Sequence, residues 1–204
     1  MKGSGMKKKI VLILIFVTML CPWAVQASPA QDQLKLSIDA ILDILRDKQL
    51  KEEANFQKRR DLLRQAIHAR FDFEKISQLS LAVHWKGLSD PEKEKFVQLF
   101  SQLLETTYLS KIESYTDEKV VYLKEVVKGK KAQIDTKIVT DTVEIPINYR
   151  MYAQDDSQWK IYDMIIEGVS LVGNYRSQFG QILEKDSFEA LIQQLEKKIE
   201  NKES

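Results

Sequence analysis

Between Tyr115 and Val120 the hydrophobic period of this chain changes from helical to two, and few folds accommodate both halves. Upstream, Phe96, Leu99, Phe100, Leu103, Leu104, Thr107, Tyr108, Ile112 and Tyr115 form one stripe at helical spacing. Ser89-Asp90-Pro91-Glu92 opens it with the form of a capping box, and Pro91 fits only a first turn. About 25 residues at 1.5 Å each predict a helix of roughly 38 Å, long enough to span a domain. Downstream, four stretches read as strands: Val120 to Lys128, Ala132 to Thr140, a third around residue 148, and Trp159 to Val169. In the third, Ile145, Ile147, Tyr149 and Met151 point one way and Glu144, Asn148 and Arg150 the other. The connections at Gly129-Lys130, Asp141-Thr142 and Asp155-Asp156-Ser157 are short. They predict an antiparallel meander, because parallel strands need long crossovers.

Helical stripes flank this region. Leu34, Ile38, Ile41, Leu42 and Leu45 form the first; Phe56, Leu62, Leu63, Ala66 and Ile67 form the second. Short helices are expected from Asp72 to Trp85. Beyond the strands come Val172, Tyr175, Phe179, Ile182 and Leu183, then Phe188, Leu191, Ile192, Leu195 and Ile199. The charged stretch from Glu196 to Ser204 predicts a frayed end. No internal repeat or Pro/Gly-rich linker divides the chain. The expected class is α+β: N-terminal helices, a four-stranded antiparallel sheet and C-terminal helices in a single domain.

The N-terminus carries an address. Lys7, Lys8 and Lys9 precede an apolar run from Ile10 to Leu20, well short of the roughly twenty residues that cross a bilayer. Val25-Gln26-Ala27 places short side chains where a signal peptidase reads, so cleavage is expected after Ala27. Cys21 is the alternative lipoprotein position, but Leu20 before it and Pro22 after it disfavour that processing.

The only cysteine leaves with this leader, so the mature chain has no disulfide and no thiol nucleophile. Its core alone must hold it together. The leader carries Lys2, Lys7, Lys8 and Lys9 and no acid, so its removal takes the formal charge from +1 to about −3. That balance does not favour nucleic acid or an anionic membrane as a standing partner. His68 and His84 are not in metal-ligand spacing, and neither a GxGxxG nor a GxSxG motif occurs. Asp163 and Glu167, four apart on a strand, are a carboxylate pair to weigh as acid and base. A polar strand face or a buried structural carboxylate is the favoured reading of both.

Three stretches carry a family resemblance: Phe71-Asp72-Phe73-Glu74; His84-Trp85-Lys86-Gly87-Leu88-Ser89 running into Lys95-Phe96-Val97; and Trp159 to Val172. The last, close to W-x-x-Y-D-M-x-x-E-G-V-S, is the most specific. Together they resemble the MlaC family, also called the toluene-tolerance or Ttg family, of periplasmic lipid-transport proteins. The resemblance implies a signal peptide over residues 1–27 and one lipid-binding domain over 28–204. It implies a soluble, monomeric, non-enzymatic carrier that holds a phospholipid as cargo and needs no cofactor. It implies as partners an inner-membrane ABC transporter complex with an MCE-type subunit and an outer-membrane lipoprotein–porin complex. A related branch is associated with hopanoid lipids, and the sequence does not decide between them. A periplasmic protein-binding adaptor with a filled interior is the alternative outside lipid transport.

Physical chemistry sets the terms for such cargo. Two tails of about sixteen carbons hold some thirty methylenes, and wetting them costs on the order of 20 kcal/mol. A dry hollow removes that cost in transit. The expected hollow lies between sheet and helices, apolar, with no charged clamp at its base. Its expected lining is Phe96, Leu99, Phe100 and Leu103 on the long helix, with Ile134, Ile138, Ile145, Ile147, Tyr149, Met151, Tyr162, Met164 and Ile166 on the sheet. Met151 and Met164 would adapt to varied tails. An ordinary packed core accounts equally well for each of these side chains. Ile161 and Ile165 leave the facing of the fourth strand open. Lys128, Lys130 and Lys131 sit at a turn and read as a solvated tip, with anionic head groups or an acidic partner as the functional alternative.

Overall fold

The computed structural model describes residues 29–115, 119–155 and 158–203. The leader expected at residues 1–27 lies outside them. Helices α1 (Pro29–Arg46) and α2 (Phe56–Arg70) form a hairpin, with a 3-10 turn at Glu53–Asn55 between them. Helix α3 (Phe73–Leu81) starts where the Asp72 carboxylate accepts the Lys75 N–H at 2.8 Å. A 3-10 segment, Ala82–Gly87, leads into the long helix α4 (Asp90–Glu113). At its start the Ser89 N–H and hydroxyl both donate to Glu92 Oε2, at 2.8 and 2.6 Å. These bonds hold the Glu92 carboxyl below its ordinary pKa.

The sheet is antiparallel throughout, in the order β1 (Lys119–Lys128), β2 (Lys131–Val139), β3 (Glu144–Ala153), β4 (Trp159–Ile166) and β5 (Val169–Ser170). The fifth strand goes beyond the four that the sequence pattern predicts. The apolar pattern predicts one strand running to Val169, but the chain reverses after Ile166. Glu167 and Gly168 both take positive φ, 50° and 83°. A type I′ two-residue hairpin loop, whose twist matches that of its strands, requires positive φ at both central residues. Val169 and Ser170 then pair back onto Ile166 and Ile165. Helix α5 (Leu171–Leu183) begins at once, the Ser170 hydroxyl accepting the Gly173 N–H at 2.9 Å.

Helix α6 (Phe188–Glu203) carries the charged end without fraying over the described residues. Leu195 and Ile199 are buried, and Lys95 Nζ lies 3.3 Å from a Glu196 carboxylate oxygen. The apolar face anchors this end, and the charges line its outer side.

Strand β4 contains a bulge. Arg150 pairs with Asp163 and Met151 with Ile161, so Tyr162 is an extra residue without a partner on β3. The bulge resets the alternation: Ile161 shares a face with Met164 and Ile166 although their numbers differ in parity. Tyr162 turns to Tyr152 instead, ring centroids 6.1 Å apart.

Three packed clusters result. The first gathers α3, α4, α5 and α6 around Phe96, Phe100, Phe179 and Leu191. The second seats the start of α1 on the sheet through Ala30, Leu34, Ile134, Met151, Trp159 and Ile161. The third joins α1, α2 and the end of α4 through Leu45, Leu63 and Leu109.

Candidate functional site: an apolar cavity

These three clusters leave a space between them. A cavity of about 350 Å³ opens there. Its floor is the inner face of the sheet: Val120, Ile138, Ile145, Tyr149, Ile161, Met164 and Ile166. Helix α1 supplies one wall with Leu34, Ile38, Ile41, Leu42 and Leu45, and α2 adds Ala66, Ile67 and Arg70. The second half of α4 closes the other side with Leu104, Tyr108, Leu109 and Ile112.

Five expected lining residues meet here: Ile138, Ile145, Tyr149, Met164 and Ile166. Strand register brings them together, since Ile138 stands opposite Ile145 and Tyr149 opposite Met164. The other eight lie elsewhere. Phe96, Phe100 and Leu103 are fully packed among α5 and α6, and Leu99 packs against the same cluster. They belong to α4 up to Leu103, and the cavity borders that helix from Leu104 onward. Ile134 and Met151 are sealed beneath the first turns of α1. Ile147 is buried away from the lining. Tyr162 is displaced by the bulge.

The α1 wall was legible only as an amphipathic stripe. Its signature lies in the mixed burial: Leu34 and Leu45 are sealed, but Ile38, Ile41 and Leu42 between them stay partly accessible because they face the cavity. Tyr149 is similar. Its ring borders the cavity, and burial pushes its phenol far above the ordinary pKa.

Four charged side chains stand in the otherwise apolar lining: Arg70, Glu105, Lys111 and Glu167. Glu105 lies in the lining, held by Arg64 Nε at 3.2 Å and His68 Nε2 at 2.6 Å. Together with Arg59 and Arg60 on Glu113, at 3.3 and 3.0 Å, these pairs tie α2 to α4. Arg70 also lines the cavity, contrary to the expectation of an uncharged base.

The carboxylate pair weighed for catalysis is taken apart. Asp163 is buried; its Oδ2 accepts from Arg150 Nη1 at 3.1 Å and from the Ser170 hydroxyl at 2.8 Å, and its Oδ1 accepts the Val172 N–H at 3.0 Å. It fastens β4 to the start of α5. Glu167 sits exposed in the hairpin turn. His84 is half-buried in the 3-10 segment. No group of three or more potential metal ligands occurs among the described residues. No helix among them is long and apolar enough to cross a membrane. The lysine tip is exposed at the β1–β2 turn, and Arg150 is already engaged by Asp163.

The fold has a known counterpart. The chain is 23% identical over 152 residues to the intermembrane phospholipid transport system binding protein MlaC of Haemophilus influenzae, covering 72% of this chain and 70% of that protein. Its fold matches a phospholipid-binding protein of Ralstonia solanacearum, solved in complex with a phospholipid. The TM-score is 0.78 at 23% identity, over 87% of this chain and all of the other. The family model described as MlaC protein matches residues 35–197. The chain therefore belongs to the MlaC family.

Proposed function

We propose that this protein is a periplasmic carrier that moves phospholipid between the inner and outer membranes as part of an ABC-type transport system. The observation that carries the reading is the apolar cavity of about 350 Å³ between the sheet, α1, α2 and α4. A packed core of this size has no use for such a space, because unfilled volume costs stability. An apolar guest recovers that cost. The same space argues against an adaptor with a filled interior. The commitments of Asp163 argue against hydrolysis and for a carrier without enzymatic activity.

In this reading the leader is removed after Ala27 and residues 28–204 work as a monomer. The tails lie along Ile138, Ile145, Tyr149, Met164 and Ile166, beneath α1. The donors and acceptors are an inner-membrane ABC complex with an MCE-type subunit and an outer-membrane lipoprotein–porin complex.

Native mass spectrometry of protein purified from cells tests this. The expected result is a mass increment of one phospholipid, lost on delipidation and regained from vesicles. A chain that leaves cells empty and refuses to reload overturns the proposal. A hopanoid mass in place of phospholipid reassigns the cargo.

A further inference from the structure

Arg70 ends α2 at the cavity wall. Its Nε donates to the Ser37 hydroxyl at 2.8 Å. Its Nη1 donates to Gln33 Oε1 at 2.6 Å and to the Trp159 carbonyl at 2.7 Å. All three acceptors are neutral. The other arginines of α2 behave differently: Arg59, Arg60 and Arg64 each meet a carboxylate within 3.3 Å. Among the described residues Arg70 meets none, and its Nη2 makes no hydrogen bond.

This is a cation fixed in place but not neutralised, beside an apolar hollow. Burying a charge without a counter-ion is costly, and once hydrocarbon fills the cavity less water remains to screen it. Burial already draws the guanidinium below its ordinary pKa. Neutral acceptors hold the side chain without cancelling its charge. What completes such a site is an anionic oxygen, and the planar guanidinium fork suits phosphate best. Its fixed geometry also reduces the ordering cost of binding.

We propose that Arg70 anchors the phosphate of the bound lipid and so selects phosphate-bearing two-tailed lipids over neutral lipids with the same tails. The inference rests on the carrier reading and narrows its cargo.

The test loads delipidated protein with dioleoyl phosphatidylglycerol or with dioleoylglycerol, which share their tails and differ by the phosphate group. Oleic acid forms a third arm. Native mass spectrometry counts what is retained. The wild type is expected to retain phosphatidylglycerol about tenfold better than dioleoylglycerol. Arg70→Gln is expected to remove that preference while still taking up dioleoylglycerol, and Arg70→Lys to keep part of it. An unchanged preference in Arg70→Gln, or equal retention of both lipids by the wild type, overturns the inference and leaves the carrier reading standing. A wild type that takes up neither lipid defeats the carrier reading itself. Arg70-dependent retention confined to oleic acid reassigns the anchor to a carboxylate and overturns the phosphate assignment. A second measurement needs no variant. The Arg70 Nε–H NMR resonance of the wild type is expected to shift on loading phosphatidylglycerol and not dioleoylglycerol; identical spectra overturn the proposal.

Discussion

Asp163 on β4 accepts the backbone N–H of Val172 at 3.0 Å, so one buried carboxylate joins the last long strand to the first turn of α5. The same carboxylate takes bonds from Arg150 and Ser170. Its role is architectural. Asp163→Ala strands the buried Val172 N–H, unpairs Arg150 and Ser170, and is expected to cost about 3 kcal/mol of stability. Asp163→Asn keeps an acceptor and is expected to cost less. Urea denaturation followed by circular dichroism measures both. Equal, negligible losses would show that the clasp contributes nothing.

The two halves of α4 should respond differently to truncation. Phe100 is fully buried among aromatic neighbours, its centroid 4.8 Å from that of Tyr175 and 5.1 Å from that of Phe179. Phe100→Ala is expected to cost about 4 kcal/mol, because it opens a new void. Ile112→Ala only enlarges a space that already exists and is expected to cost about 1–2 kcal/mol. Thermal unfolding of both variants separates core from cavity wall. A reversed order would place the cavity at the wrong end of the helix.

Met164 stands on the cavity floor opposite Tyr149. Met164→Glu puts a carboxylate where tails are proposed to lie and is expected to abolish lipid loading while the far-ultraviolet spectrum stays that of the wild type. Leu36→Glu, on the exposed side of α1, is the control and is expected to load normally. Full loading of the Met164 variant would move the tails elsewhere.

Stability is expected to fall above about pH 10. Burial and the hydrogen bond to the Asp72 carboxylate push the Tyr152 phenol up to about 12. The folded state therefore holds this proton more tightly than the unfolded state does. Its contribution is complete below the unfolded value near 10 and is lost as pH rises through about 12. Tyr152→Phe should flatten part of the decline in urea midpoints measured from pH 8 to pH 11. Other partly buried tyrosines, Tyr122 and Tyr149 among them, carry the remainder. An unchanged slope would remove Tyr152 from the account.

The sequence revealed most of the architecture because periodicity is local. The capping box at Ser89, the meander and the stripes of α5 and α6 each follow from a few neighbouring residues. The cavity depends on which stripe docks against which, and α4 shows why that escapes a pattern. Its single stripe runs from Phe96 to Tyr115, but α5 and α6 take the first half and the cavity takes the second. Tyr162 shows the second limit. One unpaired residue reverses the alternation of β4, and nothing apolar or polar in that stretch marks the spot. Arg70 shows the third. Its partners Gln33, Ser37 and Trp159 come from distant segments, so only the folded chain reveals that none is acidic.

The bond from the Trp159 N–H to Gln33 Oε1, 3.0 Å long, spans 126 positions. Synthesis runs from the N-terminus, so α1 emerges long before the strand it must lie against. Until Trp159 has been made, the greasy side of that first helix has only α2 to rest on and no sheet beneath it. A half-finished chain thus owns a wall and no floor, and it offers sticky surface rather than a container. Contacts of such long range form slowly and leave intermediates prone to clump. The hollow is a property of the completed molecule alone, and a holdase that shields α1 during those moments would raise the yield of folded protein.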